Sequence, residues 1–364
     1  MGRKDRLAGQ LDRLCREAIR QDATPSVALA VGSSDQIFYQ RVFGWRRLVP
    51  TRQKALLGTI YDLASLTKPL ATGLLFCCLL ELKLVDLDDP VRRFLPIWRR
   101  GRKKHITLRH LLTHTSGLPA FKNYLEVSDL SLSAPQRGTF VRDDILRTPL
   151  EAAPGKKFIY SDLGFILLGE IATLITGESL DHLVEKFLYK KLGLRETRFC
   201  PPQSRWQRCA ATTYRDGALL QGQVHDPNAF YLGGVSGHAG LFSDLSGLVR
   251  LCQMILREGE GNGQPVIGPD AIRLFRSNIS PCQDVQRGIG VDIDSPYSLQ
   301  MRGRRFPIGV FGHTGYTGTS FLIDPRSDLF VILLTNRVHP DDKRDISQFR
   351  IAVMDTIAGA LFDR

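Results

Sequence analysis

Ser65 and Lys68 stand three residues apart where Tyr61–Lys68 leads into a long apolar helix expected at Leu70–Leu82. Residues three apart on a helix share a face, with Cβ atoms about 5–6 Å apart. That spacing puts an amine beside a hydroxyl. A serine becomes a useful nucleophile when a neighbour takes its proton, and lysine can do so when burial and nearby charge lower its pKa. At the start of a helix, the serine also sits in the positive end of the helix dipole. Pro69 falls in the first turn, where proline is best tolerated. This is the one Ser-x-x-Lys in the chain, although the spacing alone is also what an exposed surface turn would show.

Two further elements could complete such chemistry. Tyr160-Ser161-Asp162 follows the turn residues Ala153-Pro154-Gly155 and precedes an apolar helix. A phenol beside the lysine could relay protons to and from the serine; a tyrosine at a helix entry with Asp162 as cap is the plainer reading. His313-Thr314-Gly315-Tyr316 follows Gly312 and precedes a hairpin. Glycines on a strand let a backbone approach a ligand closely, and an exposed N–H here could join that of Ser65 in an oxyanion hole.

Ser-x-x-Lys, Tyr-x-Asn and Lys-Thr-Gly, in that order, mark serine β-lactamases and penicillin-binding proteins. The chain resembles the class C-like, β-lactamase-related branch of that superfamily over about residues 25–360. The stretch Leu111–Pro119 is similar to the one that follows the nucleophile helix there. The resemblance implies Ser65 as nucleophile, Lys68 as its proton partner and Tyr160 as general base or relay. It leaves open whether Lys68 or Tyr160 takes the first proton. It further implies Ser65 and Tyr316 as the oxyanion N–H groups, with His313, Thr314 and Gly315 lining the substrate strand.

Two residues depart from the family pattern. Asp162 stands in place of Asn, where a carboxylate could pair with Lys68 and hold it charged. His313 stands in place of Lys, and a mostly neutral imidazole grips a carboxylate less strongly than an ammonium. Both weaken an efficient β-lactamase or D,D-carboxypeptidase reading. A further stretch, Val224–Ala229 and Gly233–Ser243, is similar to a subgroup of cell-wall-turnover amidases. Its His225, Asp226 and His238 among glycines suggest a polar wall that contacts substrate, shapes a turn or binds metal. Three potential ligands alone do not make a zinc site. With Asp162, His225 and His238 are expected substrate-binding residues, and neither a metal nor a cofactor is expected.

Competing motifs fail. His110–His114 lacks the glutamate of His-Glu-x-x-His, and no Gly-x-Ser-x-Gly, P-loop or Gly-x-Gly-x-x-Gly occurs. The expected activity is therefore acyl transfer to water on a small amide or ester, plausibly a cell-wall muropeptide. A promiscuous carboxylesterase or weak β-lactamase shares the mechanism, and an inactive binding protein on the same fold is the rival of another class.

The elements that must position these residues follow from periodicity. Leu7, Leu11, Leu14, Ala18 and Ile19 predict an opening amphipathic helix. Ser26–Gly32 and Gln36–Gly44 read as a hairpin around Ser33-Ser34-Asp35, and Thr319–Asp324 with Leu329–Thr335 as another. Thr107–Thr113, Leu163–Thr176, Asp181–Tyr189 and Ile346–Phe362 read as helices, and Lys122–Arg137 as a surface loop at the cleft. The expected fold is α/β (α+β), β-lactamase/transpeptidase-like. An antiparallel sheet from residues 1–60 and 240–364 is flanked by terminal helices, and a mainly helical lobe, 61–239, is inserted between.

Composition is that of a globular chain, 43% hydrophobic and 24% charged, with a formal net charge of +12. That charge suits anionic partners. The basic run Arg99–His105 lacks interleaved aromatics beyond Trp98, so it reads as a solvated loop rather than a nucleic-acid surface. Seven cysteines without a CxxC pair suggest reduced, mostly buried thiols. No signal peptide is visible and no segment approaches about 18 apolar residues. The expected setting is cytoplasmic, with a small-molecule substrate and neither nucleic acid nor membrane as partner.

Overall fold

In the computed structural model, residues 3–127 and 131–362 are described. An eight-stranded antiparallel sheet forms the centre. Its strands run in the order Gln286–Arg287, Asp292–Asp294, Phe311–Thr314, Ser320–Asp324, Leu329–Thr335, Ser26–Gly32, Ile37–Arg47 and Gln53–Lys54. The join between the two chain ends is Ser26–Gly32 against Leu329–Thr335, with Leu29 opposite Leu333. Both strands are buried along their whole length.

Alternation sorts their side chains to two faces, as a period of two requires. Val27, Leu29 and Val31 pack with Leu11 and Cys15 of the first helix (Arg3–Arg20) and with Val353, Met354 and Ile357 of the last (Ser347–Phe362). Ala28 and Ala30 face the larger core, where the helix Leu245–Leu256 packs. Small residues on that side let the helix lie close to the sheet.

The stretch between the sheet halves is mainly helical, with short strands added. Tyr61–Asp62, Leu241–Ser243 and Arg198–Phe199 form a three-stranded piece. The helix Asp162–Thr176 ends at Gly177, which takes the left-handed conformation (φ 74°) that glycine tolerates best.

Three local expectations are corrected. Residues 70–82 are not one regular helix. A short turn at Ala64–Leu66 gives way to a wide π-type stretch, Lys68–Gly73, and then to an α-helix, Leu74–Glu81. The run Ala64–Glu81 is also long and apolar enough to cross a membrane, against the expectation that none was; it is 83% buried in the protein core. Finally, the expected loop 122–137 contains a short helix at Tyr124–Val127 and the start of another, Ala134–Arg147. The part at 128–130 lies outside the described residues. All seven cysteines are free, and Cys200 alone among them is exposed.

Candidate active site

Ser65 is presented by a strained turn that several elements hold. Ala64 has φ 46°, in the left-handed region unusual for a residue with a Cβ. Its N–H donates to Asp62 Oδ1 at 2.8 Å, and Asp62 Oδ2 accepts from the His225 N–H at 2.7 Å. Burial pushes the Asp62 carboxyl up to about 6, against the pull of these two bonds. Thr317 Oγ1 donates to Asp62 O at 2.7 Å and Thr319 Oγ1 to Leu63 O at 3.0 Å. These bonds stitch the turn to the loop after His313. At Gly315 a Cβ would lie 2.5 Å from Leu63 O, so only glycine allows this approach.

Lys68 is fully buried. Its Nζ donates to Ser65 Oγ at 2.9 Å and to His238 O at 3.1 Å, and contacts Asp162 Oδ1 at 2.7 Å. Burial disfavours the ammonium, but Asp162 and Tyr160 outweigh it and hold the Lys68 pKa above its ordinary value. The Tyr160 ring lies 4.9 Å from Lys68 Nζ, and its hydroxyl interacts electrostatically with Ser65 and Lys68. Burial raises the phenol pKa; the Lys68 charge offsets this in part, and Asp162 adds to it. The resting arrangement is therefore a neutral hydroxyl, a neutral phenol and an ammonium.

Ser161, not Asp162, caps the following helix, accepting from the Gly164 N–H at 3.3 Å. Asp162 is free to face Lys68. His114 stacks on Tyr160 with ring centroids 4.4 Å apart and accepts from the Ser161 N–H at 2.9 Å. Burial, then the Arg287 charge, hold His114 neutral.

A cavity of about 430 Å³ opens beside Ser65. Tyr160, His313, Thr314, Gly315 and Tyr316 line it, as do Arg287, Tyr297 and Arg350. Among the described residues, the Ser65 and Tyr316 N–H groups donate to no backbone acceptor outside their own turns, as an oxyanion site requires. Tyr316 is clamped: its hydroxyl donates to Asp342 at 2.8 Å, Arg337 lies 4.6 Å over one face and His225 stacks at 5.6 Å. The His313 Nδ1–H donates to Thr314 O at 2.7 Å, and burial together with the charge of Arg287 pushes its pKa well down. His313 is therefore not a cation at neutral pH.

Three residues expected to bind substrate do not line the cavity. Asp162 and His238 lie behind Lys68. The His238 ring is held by Asp226 Oδ1 and Ser236 Oγ, each at 2.8 Å, and it is buried. His225 reaches the site only through Tyr316 and Asp62. Asp162, Asp226 and His238 have ligand atoms within 4.8 Å of one another, a spacing open to a metal ion. The cation they already balance is the Lys68 ammonium. Reading the sequence missed Arg287, Tyr297 and Arg350. Arg287 and Tyr297 lie in a stretch without motif or clear period, and Arg350 lies on the expected last helix, whose pattern does not single it out.

Known proteins resemble the chain over nearly its whole length. The family model described as Beta-lactamase matches residues 11–353. A protein of Escherichia coli (strain K12) named "Putative D-alanyl-D-alanine carboxypeptidase" is 33% identical over 359 residues, covering 91% of this chain and 82% of that one. A protein of the same name in Salmonella typhimurium (strain LT2) is 34% identical, covering 86% and 79%. Among solved structures, EstCE1, a hydrolase with promiscuous acyltransferase activity, aligns with TM-score 0.75 at 20% identity, over 98% of this chain and 99% of that one. A penicillin-binding protein homologue from Caulobacter crescentus aligns with TM-score 0.76 at 16% identity, over 97% of each chain. The chain belongs to the Beta-lactamase family and is a hydrolase of the serine β-lactamase and penicillin-binding protein superfamily.

Proposed function

We propose that the protein hydrolyses a small, anionic cell-wall peptide through a covalent Ser65 acyl-enzyme. The observation that carries this is the 2.9 Å bond between Lys68 Nζ and Ser65 Oγ, with the Tyr160 ring 4.9 Å from the same Nζ. Once the Tyr160–Lys68 pair has released one proton to solvent, Ser65 Oγ attacks the carbonyl carbon and its own proton passes to that pair. The N–H groups of Ser65 and Tyr316 hold the oxyanion. The leaving amine takes the proton, and water then releases the acyl group by the same steps. The cavity wall carries buried arginines, and relatives are named for D-alanyl-D-alanine cleavage; both favour a peptide with free carboxylates.

A second reading is a carboxylesterase, favoured by the neutral His313. A screen of N-acyl-D-alanyl-D-alanine, muropeptides, p-nitrophenyl esters and nitrocefin separates the two. Intact-mass analysis after a fluorophosphonate probe tests the shared mechanism. The expected adduct is on Ser65 and absent in Ser65→Ala. No adduct, with hydrolysis equal to that of Ser65→Ala, would reduce the chain to a binding protein.

A further inference from the structure

We infer that a second cavity, walled by Trp206, Phe230 and Phe242, is a binding site for a small aromatic carboxylate, with Arg137 as the partner of its charge. The inference goes beyond the proposed function and does not rest on it.

The cavity measures about 290 Å³ and shares no lining residue with the one beside Ser65. Trp206 lies on the short helix Gln203–Arg208, Phe230 on Pro227–Tyr231 and Phe242 on the strand Leu241–Ser243. Pro201 and Val224 complete the apolar wall. The rings are fixed from behind. Phe242 lies opposite Asp62 in its strand pair and packs with Ile60, Ala229 and Ala239 in a small core of its own. The Trp206 indole N–H donates to Pro201 O at 3.0 Å, and its ring rests on Gly222, where any Cβ would collide with it.

Arg137, on the helix Ala134–Arg147, is the one charged side chain among the described residues that line this cavity. Its guanidinium carbon lies 5.4 Å from the centre of the Tyr231 ring, and its Nε is buried without a hydrogen-bond partner. No acidic side chain among the described lining residues is there to pair with it.

A small-molecule site combines apolar walls with a few placed polar groups. Aromatic walls favour a flat ring, which they meet edge-to-face or offset. A guanidinium keeps its charge in proteins, and its planar fork gives a carboxylate two parallel bonds. A neutral or cationic ring would leave the buried Nε unpaired, which is costly. Cys200 reaches the same wall, with its Sγ 3.4 Å from Gly233 O. Burial raises its thiol pKa, so it is a neutral wall group and not a nucleophile. As the exposed one of the seven cysteines, it also reports on this cavity and no other.

The test follows alkylation of Cys200 by N-ethylmaleimide, read by peptide mass mapping, in the presence of 4-nitrobenzoate or its neutral analogue 4-nitrobenzamide. In wild type the acid is expected to protect Cys200 at a concentration about tenfold lower than the amide requires. In Arg137→Met and Arg137→Glu that advantage is expected to vanish, while the amide protects within about twofold of its wild-type concentration. Thermal melting checks that both variants are folded. Equal protection by acid and amide in wild type, or an acid advantage that survives in both variants, would overturn the inference. So would an unprotected Cys200, which would confine any binding of the acid to the Ser65 cavity. Should both variants fail to fold, Arg137→Lys keeps the charge beside Tyr231 and removes only the fork. The acid's advantage is then expected to fall to about threefold or less, and an undiminished advantage would overturn the pairing.

Discussion

The two sides of Ser65 satisfy their charges in opposite ways. Behind it, the Lys68 ammonium meets Ser65 Oγ, Asp162 and the His238 carbonyl within 3.1 Å, and Asp226 holds His238 in turn. In front, Arg287 has two nitrogens without partners, and Arg350 is 4% exposed with its Nε unpaired. Gln300 Oε1, at 3.1 Å, is an uncharged partner for Arg350. The inner side is complete before any substrate arrives, which is how a preorganised site avoids reorganising during reaction. The outer side is left for the substrate to complete. Changes to the inner side should therefore fall on kcat, and changes to the outer side on KM.

The sharpest way to break this contrast is Lys68→Met. Activity on a p-nitrophenyl ester is expected to drop about 1,000-fold or more, because both proton transfer and the charge beside Tyr160 are lost. Asp162 would also be left uncompensated, costing about 3 kcal/mol of stability by thermal or urea melting. A loss under tenfold would remove the inner side from the chemistry. Tyr160→Phe comes next, with kcat down about 100-fold and KM nearly constant. A loss carried by KM instead would move Tyr160 to the outer side.

Asp162→Asn sharpens the contrast through pH. Asp162 raises the pKa of both Lys68 and Tyr160. Removing its charge lowers both. Whichever group accepts the Ser65 proton, its base form then appears at lower pH. The ascending limb of the kcat/KM profile is expected to move to lower pH, with a rise of a few-fold at neutral pH. The descending limb separates the two candidates: it moves down as well if Lys68 must stay charged while Tyr160 acts. An unmoved profile with normal melting would show that Asp162 does not tune the pair.

What was legible in the sequence was local. Ser65 and Lys68 share one helical turn, Tyr160 opens a helix, and His313–Tyr316 is contiguous; each needs only neighbours in sequence. The strands Ser26–Gly32 and Leu329–Thr335 announced themselves by unbroken apolar runs. The possible pairing of Asp162 with Lys68 was also legible, because the motif names both positions, and the two lie 2.7 Å apart. Arg287 was not legible. Its strand is two residues long, and its place in the cavity follows from cross-strand pairing that no period in residues 280–310 reveals. His238 misled for a related reason. Its imidazole suggested a substrate contact, but Asp226, twelve residues earlier, folds back to hold the ring. The backbone carbonyl, rather than the ring, reaches Lys68.

Asp226 sets the smallest effect and marks how far the inner side extends. Its Oδ1 accepts from His238 Nε2 at 2.8 Å and from the Ala229 N–H at 2.7 Å. Burial alone would raise the carboxyl pKa, but His238, these bonds and the Lys68 charge outweigh it and hold it well below the usual range. A carboxylate with a depressed folded pKa stabilises the protein above its unfolded value, about pH 4, and that contribution disappears as pH falls through the folded value. Asp226→Asn is therefore expected to cost about 2 kcal/mol at pH 7 and progressively less below pH 4, read by urea melts across that range. Because Asp226 acts on Lys68 mainly through the His238 carbonyl, kcat is expected to fall less than about tenfold with KM unchanged. A stability gap that stays constant down to pH 2 would show that the Asp226 charge is not what holds His238. A kcat loss matching that of Lys68→Met would instead place Asp226 in the proton path itself and extend the inner side one layer deeper.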